Sequence, residues 1–172
     1  WAALEASNTT PVDIIIIGDS NSEKATDYNT DRQWPGILSD LMSLYYQGQP
    51  PVGYVPVNDS TVPFGQSFTT TTSTYSGSGF GGHCGLHADG QYSETTAYCD
   101  QVTLLYRISP SGGTITVKDG GSGGTTLGTI NASGADTWSN MWTSAALTAG
   151  NHDIYISVSG GTGTYIEGMY FY

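Results

Sequence analysis

The sequence predicts a mostly β protein, a jelly-roll-like β-sandwich preceded by a partial α/β strand–helix unit. From Val52 onward, short β-rich runs alternate with glycine clusters, and this spacing is typical of sandwiches. Before that point there is one apolar strand pattern and one helical pattern. The character of the chain changes at Gln49-Pro50-Pro51. We therefore divide the chain into residues 1–48 and residues 49–172.

The N-terminal unit contains one predicted strand and one predicted helix. Val12 and Ile14–Ile17 form a run that is apolar on both faces, which is typical of a central strand covered on both sides. A helix is predicted over Arg32–Gln47, because apolar residues recur there at spacings of three and four. This stripe consists of Trp34, Ile37, Leu38, Leu41, Met42 and Tyr45. One strand and one helix cannot bury each other, so we expect further polypeptide to pack on residues 1–48.

The predicted strands of the second unit are separated by turns with recognisable chemistry. Clusters such as Asp119-Gly120-Gly121 and Ser159-Gly160-Gly161 are typical of turns. We predict strands over 52–57, 68–75, 97–108, 114–118, 125–130, 152–158 and 165–172, and a strand or a turn over 138–142.

Composition excludes several classes of partner. The chain has 172 residues and a net charge of −11, from 4 basic and 15 acidic residues. Nucleic acid and anionic membrane surfaces both require a cationic face, so neither is expected as a partner. The composition is poor in charge and rich in glycine and tyrosine. It favours an extracellular or virion-surface location.

A short motif follows the apolar strand of the N-terminal unit. Gly18-Asp19-Ser20 resembles block I of the SGNH (GDSL-type) hydrolases, which are serine esterases. The resemblance implies that Ser20 is the nucleophile and that Gly18 and Asp19 belong to the same catalytic motif. The alternative is an ordinary strand-to-helix turn, in which Asp19 or Ser20 caps the helix.

The order of the two units is also similar to SGNH hydrolases that carry an inserted carbohydrate-module-like sandwich. Gly53-Tyr54-Val55-Pro56 resembles the start of that insert, and Tyr165–Tyr172 resembles its last strand. Arg32-Gln33-Trp34-Pro35 is similar to a phrase in tail-associated SGNH proteins of phages. These resemblances imply a polysaccharide ester as the substrate.

The sequence also departs from the SGNH pattern. Its histidines, His83, His87 and His152, lie in the β region and none belongs to an Asp-x-x-His motif. Without a base, the Ser20 hydroxyl stays protonated and is a weak nucleophile. One hypothesis is the N-terminal portion of an esterase whose Asp-x-x-His is supplied elsewhere. The alternative is a non-catalytic virion, phage-tail or cell-surface protein that binds glycan or neighbouring subunits, including copies of itself.

Two pairs of residues are candidates for particular roles. We predict a disulfide between Cys84 and Cys99, the only cysteines, with two thiols as the alternative. Trp138 and Trp142 are candidates for a sugar-stacking platform, because aromatic faces are large and apolar. Core packing is the alternative for this pair.

Metal and cofactor sites are weakly indicated. His83 and His87 with the cysteines have spacings within reach of a zinc site, and loop aspartates suit calcium. These aspartates are Asp89, Asp100, Asp119 and Asp136. The histidines are flanked by glycines and no Asp-x-Asp-x-Asp run occurs, so we expect neither a metal nor a cofactor.

Overall fold

A computed structural model of the chain describes residues 54–57, 68–71, 73–76 and 83–172. The described residues form two antiparallel β-sheets, and no helix occurs among them. The predicted α/β unit of residues 1–48 lies outside the described residues.

Among the described residues, eleven strands build the two sheets. They are β1 (Tyr54–Pro56), β2 (Thr69–Thr70), β3 (Ser73–Ser76), β4 (His83–His87), β5 (Tyr92–Cys99), β6 (Val102–Ile108), β7 (Thr114–Asp119), β8 (Thr125–Asn131), β9 (Thr137–Thr143), β10 (Gly150–Ser159) and β11 (Thr164–Phe171). Sheet A has the order β3-β4-β11-β6-β9, with β1 also paired to β11. Sheet B has the order β2-β5-β10-β7-β8.

The core lies between the inner faces of the two sheets. Because side chains alternate along a strand, every second residue of β6 and of β10 points inward. Sheet A contributes Leu104, Met169 and Phe171, and sheet B contributes Ile115 and Ile156, among others. Fully burying a side chain of this size contributes about 1.5–3 kcal/mol, so this interface is the main source of stability.

The structure divides two of the predicted strands and adds a third that was not predicted. The single run predicted over 97–108 is two strands, because the chain crosses from sheet B to sheet A at Asp100-Gln101. The Asp100 N–H donates to the Tyr172 carbonyl at 2.7 Å, outside either ladder. The run predicted over 68–75 is likewise divided between β2 in sheet B and β3 in sheet A. Strand β4, which the glycine-rich sequence around it did not suggest, is an additional finding.

A pair of β-bulges distorts the outer face of sheet A. In β9, the three steps from Thr137 to Asn140 match two steps of β6, and Ser139 has a left-handed φ of 54°. In β11, the extra residue is Glu167. Its buried carboxylate accepts from the Ser139 N–H at 2.6 Å and from the Ser139 hydroxyl at 3.0 Å. The two bulges therefore stabilise each other.

His87 connects the two sheets through the core. Its imidazole is fully buried, with Nδ1 donating to the Gly85 carbonyl at 3.2 Å and Nε2 in hydrogen-bond contact with the Ser93 hydroxyl at 2.8 Å. Ser93 Oγ is in turn hydrogen-bonded to Thr70 Oγ1 at 2.8 Å. Burial lowers the pKa of His87 to about 4, so the ring is neutral at physiological pH.

The outer faces of the two sheets differ in exposure. In sheet B, strands β5 and β10 alternate between buried and more exposed residues. In sheet A, the central strands β6 and β11 are buried over most of their length on both faces. Within the part of the chain described here, no helix has the length and apolar character needed to cross a membrane.

Candidate functional site

A groove with acidic side chains crosses the outer face of sheet B. Its volume is about 360 Å³, within the range of roughly 300–1,000 Å³ typical of small-molecule sites. We call it the acidic groove and define it by its lining residues, which are Thr69, Glu94, Thr95, Thr96, Gly121 and Asp153.

The register of β5 against β10 brings the acidic groove's polar groups together. Thr96 lies opposite Asp153 and Glu94 lies opposite Tyr155. Since the inward residues of β10, Ile154 and Ile156, belong to the core, the residues on either side of them point to solvent. The Thr96 hydroxyl donates to the Asp153 carboxylate at 2.7 Å, which fixes that carboxylate at the groove.

Two tyrosines stand beside the acidic groove. The rings of Tyr92 and Tyr155 stack, with centroids 5.1 Å apart and an interplanar angle of 23°. Partial burial, with Tyr92 and Glu94 nearby, raises the pKa of Tyr155 above its ordinary value, so its hydroxyl remains protonated. Tyr155 therefore offers both an aromatic face and a hydrogen-bond donor.

The turn between β7 and β8 closes one end of the acidic groove. Gly120 and Gly121 have φ values of 91° and 74°, which only glycine adopts without strain. Both N–H groups donate to the Asp153 carbonyl, at 2.9 and 3.0 Å. The Asp-Gly-Gly turn is thus fixed to the strand that carries the groove's carboxylate.

A second aromatic group lies on the outer face of sheet A. The Arg107 guanidinium stacks over Trp138 at 4.5 Å and over Tyr165 at 4.6 Å. It also donates to both carboxylate oxygens of Asp136, at 2.6 Å each. This hydrogen bond holds the pKa of Asp136 below its ordinary value. The protein's own arginine therefore covers both rings, which also contact each other with centroids 5.6 Å apart.

The structure does not bring the two predicted platform residues together. Trp138 points outward to Arg107, whereas Trp142 packs against the core. A Cβ atom added to Gly128 of sheet B would lie 2.2 Å from the Trp142 ring, which shows how closely that ring fits. On a regular strand, two residues that are four positions apart lie on the same face. The bulge at Ser139 adds one residue between Trp138 and Trp142, so they lie on opposite faces.

The predicted disulfide between Cys84 and Cys99 is wrong, because both residues are thiols in the structure. Cys99 belongs to the core between the sheets. Gly85 lies opposite the core residue Ile166 and so faces inward. Its neighbour Cys84 therefore points outward, away from the core. Sheet A therefore lies between the two sulfur atoms. Burial is the main cause that raises the pKa of each thiol to about 11.

The remaining candidates do not form a metal centre in the described residues. Gly18, Asp19 and Ser20 lie outside them. The part of the chain that the structure describes contains no group of three or more His, Cys, Asp or Glu residues suited to a metal ion. Asp119 instead contacts His152 at 2.7 Å, and Asp89 accepts from the Gly160 N–H at 2.8 Å.

The residues of the acidic groove were missed in the sequence prediction. Strand β5 begins at Tyr92, before the run predicted over 97–108. Tyr92 and Glu94 therefore lie outside every predicted strand, and the sequence did not assign them to a face of a sheet. The available signal was the alternation of Tyr92, Glu94 and Thr96 along the chain. Strand pairing then adds Asp153 and Tyr155, a step that needs the register.

Together, the two sheets and the acidic groove define an antiparallel β-sandwich with a candidate binding surface on one outer face. No family model matches the chain, and no curated protein matches it. Solved structures do share its fold. A Paenibacillus xanthan lyase aligns at a TM-score of 0.50 and 13% identity, covering 70% of this chain and 13% of the lyase.

Several similar structures are family 6 carbohydrate-binding modules. One from Clostridium cellulolyticum, in complex with xylose, aligns at a TM-score of 0.46 and 21% identity, covering 62% of this chain and 88% of the module. A module of Cellvibrio mixtus lichenase 5A, in complex with cellotriose, aligns at 0.44 and 18%, covering 69% and 95%. At these identities, the likeness concerns the fold alone.

Proposed function

We propose that the β-sandwich is an extracellular glycan-binding module whose ligand lies in the acidic groove beside Tyr92 and Tyr155. One observation carries the proposal, namely the stacked tyrosine pair next to a groove lined by carboxylates and threonine hydroxyls. Sugar rings have apolar faces that stack on aromatic rings and hydroxyl groups that donate to carboxylates. The similarity in fold to modules solved with xylose and cellotriose agrees with this chemistry.

The charge of the acidic groove favours a neutral glycan over an anionic one. Glu94 and Asp153 line it, and the whole chain carries a net charge of −11. Lys118, which lies opposite Tyr155, donates to the Ser122 carbonyl at 2.7 Å. A uronate-rich polymer would be repelled by the carboxylates, so neutral xylo- or gluco-oligosaccharides are the expected ligands.

Calorimetric titration of the full chain with xylo- and cello-oligosaccharides tests the proposal. Tyr155→Ala and Asp153→Asn should each weaken binding about tenfold or more, which corresponds to about 1.4 kcal/mol. Trp138→Ala, on the other sheet, is the matched aromatic control and should bind as the wild type does. Absence of wild-type binding to any neutral glycan would refute the function. Loss of binding in the Trp138 variant alone would instead move the site to sheet A.

A second candidate function rests on Gly18-Asp19-Ser20. We propose that this motif belongs to an SGNH-type esterase that acts on ester-decorated carbohydrate, with the sandwich retaining the polymer. A fluorophosphonate probe added to the full-length gene product should label Ser20, and Ser20→Ala should abolish the labelling. A wild-type protein that is not labelled would favour the non-catalytic alternative, a virion or cell-surface protein. In that case, mass in solution would test for a homo-oligomer.

A further inference from the structure

The outer face of sheet A is buried at its centre, although sheet B packs on the inner face. Cys84, Thr103 and Leu105 point away from the core, yet they are 0%, 1% and 3% exposed. The corresponding outward residues of sheet B, such as Thr96 and Asp153, are exposed. Sheet A therefore has a covered outer face and sheet B a solvated one.

These covered residues form one continuous surface. Leu105 lies opposite Gly168 and Thr103 opposite Tyr170 in the β6–β11 pair. Cys84 follows in the β4–β11 pair, next to Gly85 and Ile166, and the Glu167 carboxylate lies close enough to raise the pKa of its thiol. We call Cys84, Thr103, Leu105, Glu167 and Gly168 the covered patch. Its rim is open, since Met141, opposite Leu105, is 61% exposed.

We propose that the covered patch is the docking surface for residues 1–48 of the same chain. Strand β1, which pairs Val55 with Met169 of β11, is the first described element of sheet A. The chain that precedes Tyr54 therefore joins the sandwich beside the covered patch.

The sequence of residues 1–48 has the complementary property. The stripe predicted along 32–47 is apolar on one side only, and an amphipathic helix needs a surface to cover. The covered patch presents Leu105 and a glycine at its centre, which allows close approach of another element. The predicted stripe and the covered patch belong to one chain, so they can cover each other without any second subunit.

The two cysteines provide a test in the full chain. Cys84 lies beneath the proposed contact, whereas Cys99 lies in the core between the sheets. In native wild-type protein, both thiols should resist iodoacetamide. Ile37→Glu combined with Leu41→Glu should raise the alkylation rate of Cys84 at least tenfold and leave Cys99 protected. Ser43→Glu, outside the predicted stripe, is the matched control and should leave both thiols protected.

A reciprocal variant tests the same contact by a substitution in the sandwich instead of in residues 1–48. Leu105→Glu should increase hydrogen exchange in peptides from residues 1–48, while Met141→Glu at the open rim should not. Rapid alkylation of Cys84 in the wild type would overturn the proposal, as would unchanged protection in both Ile37→Glu/Leu41→Glu and Leu105→Glu. Protection of Cys84 that falls on dilution would also overturn it, because the cover would then be a second copy of the chain.

Discussion

His87 and His152 lie in contrasting environments, although both contact polar groups. His87 is buried in the core, and its pKa is lowered to about 4. His152 donates through Nδ1 to the Asp119 carboxylate at 2.7 Å and contacts the Thr148 carbonyl at 2.8 Å. Burial lowers the pKa of His152, but these two partners outweigh it and raise the pKa above its ordinary value. The two rings therefore respond to acid in opposite ways.

The His152–Asp119 pair should stabilise the fold only in its protonated form. Because the folded pKa is raised, this stabilisation is fully present below the unfolded pKa of about 6.5 and is lost as pH rises through the folded value. Asp119→Asn should reduce the unfolding free energy by up to about 1 kcal/mol at pH 5.5 and by less at pH 8. Urea unfolding at the two pH values measures this. An equal loss at both would contradict the ion pair.

The His87 ring has the opposite effect on how folding stability depends on pH. Its lowered pKa means that the unfolded chain takes up a proton before the folded chain does. Stability should therefore fall as pH drops from about 6.5 towards 4, by at most about 1.4 kcal/mol per pH unit. NMR titration of the imidazole signals should give a midpoint above 6.5 for His152 and near 4 for His87. A normal midpoint for His87 would show that its ring is solvated.

The contact between Gly128 and Trp142 provides a test of packing. A Cβ at Gly128 would lie 2.2 Å from the indole, so Gly128→Ala should destabilise the fold by about 1–3 kcal/mol. Gly123→Ala is the matched control, since nothing lies within 4 Å of a Cβ added there. Denaturant midpoints of the two variants should differ clearly, and similar midpoints would show that the Trp142 ring moves freely.

At the scale of elements, the bulges of β9 and β11 depend on one carboxylate. Glu167→Ala leaves the Ser139 N–H without its acceptor, and such a loss costs about 1–3 kcal/mol. It should also release the left-handed backbone at Ser139 and so disturb Trp138. Thermal unfolding and quenching of tryptophan fluorescence measure the two effects. Met141→Ala, largely exposed on the same strand, should change neither, and a Glu167→Ala variant as stable as the wild type would contradict the account.

Strands β7, β8, β10 and β11 lie within one or two residues of the predicted runs. In β7 and β10, this is because inward and outward residues alternate regularly in polarity. β4 was missed because its sequence, His83-Cys84-Gly85-Leu86-His87, has polar residues at both ends and a buried imidazole. The faces of Trp138 and Trp142 were not predictable either, since the bulge between them requires Glu167, 28 residues away.

The candidate binding surface is less predictable than the fold. The sequence predicts a sugar platform at the tryptophans, whereas the acidic groove and the tyrosines beside it come from separate strands. The disulfide prediction failed for a related reason. The spacing of Cys84 and Cys99 does not reveal that β4 and β5 belong to different sheets, nor that one thiol points out of the sandwich.

At the scale of the molecule, the described core contains apolar residues from both sheets. Its buried apolar members run from Val55 to Phe171. A protein of residues 49–172 should therefore fold cooperatively by itself. Dispersed amide resonances and a single unfolding transition are the expected results. A collapsed spectrum would show that residues 1–48 complete the core, and cleavage at 48–49 would then be disruptive.

The extra residue at Ser139 also changes which positions of β9 face outward and are therefore free to vary in evolution. Before it, the outward position is Trp138, whereas after it the outward positions are Met141 and Thr143 and the inward one is Trp142. Polar replacements should accordingly be tolerated at even-numbered positions on one side of Ser139 and at odd-numbered positions on the other. Deleting this one residue would exchange the inner and outer surfaces at the start of the strand. Substitutions at Trp138 and at Trp142 should therefore accumulate independently, because the two residues face opposite sides of sheet A even though they are close in sequence.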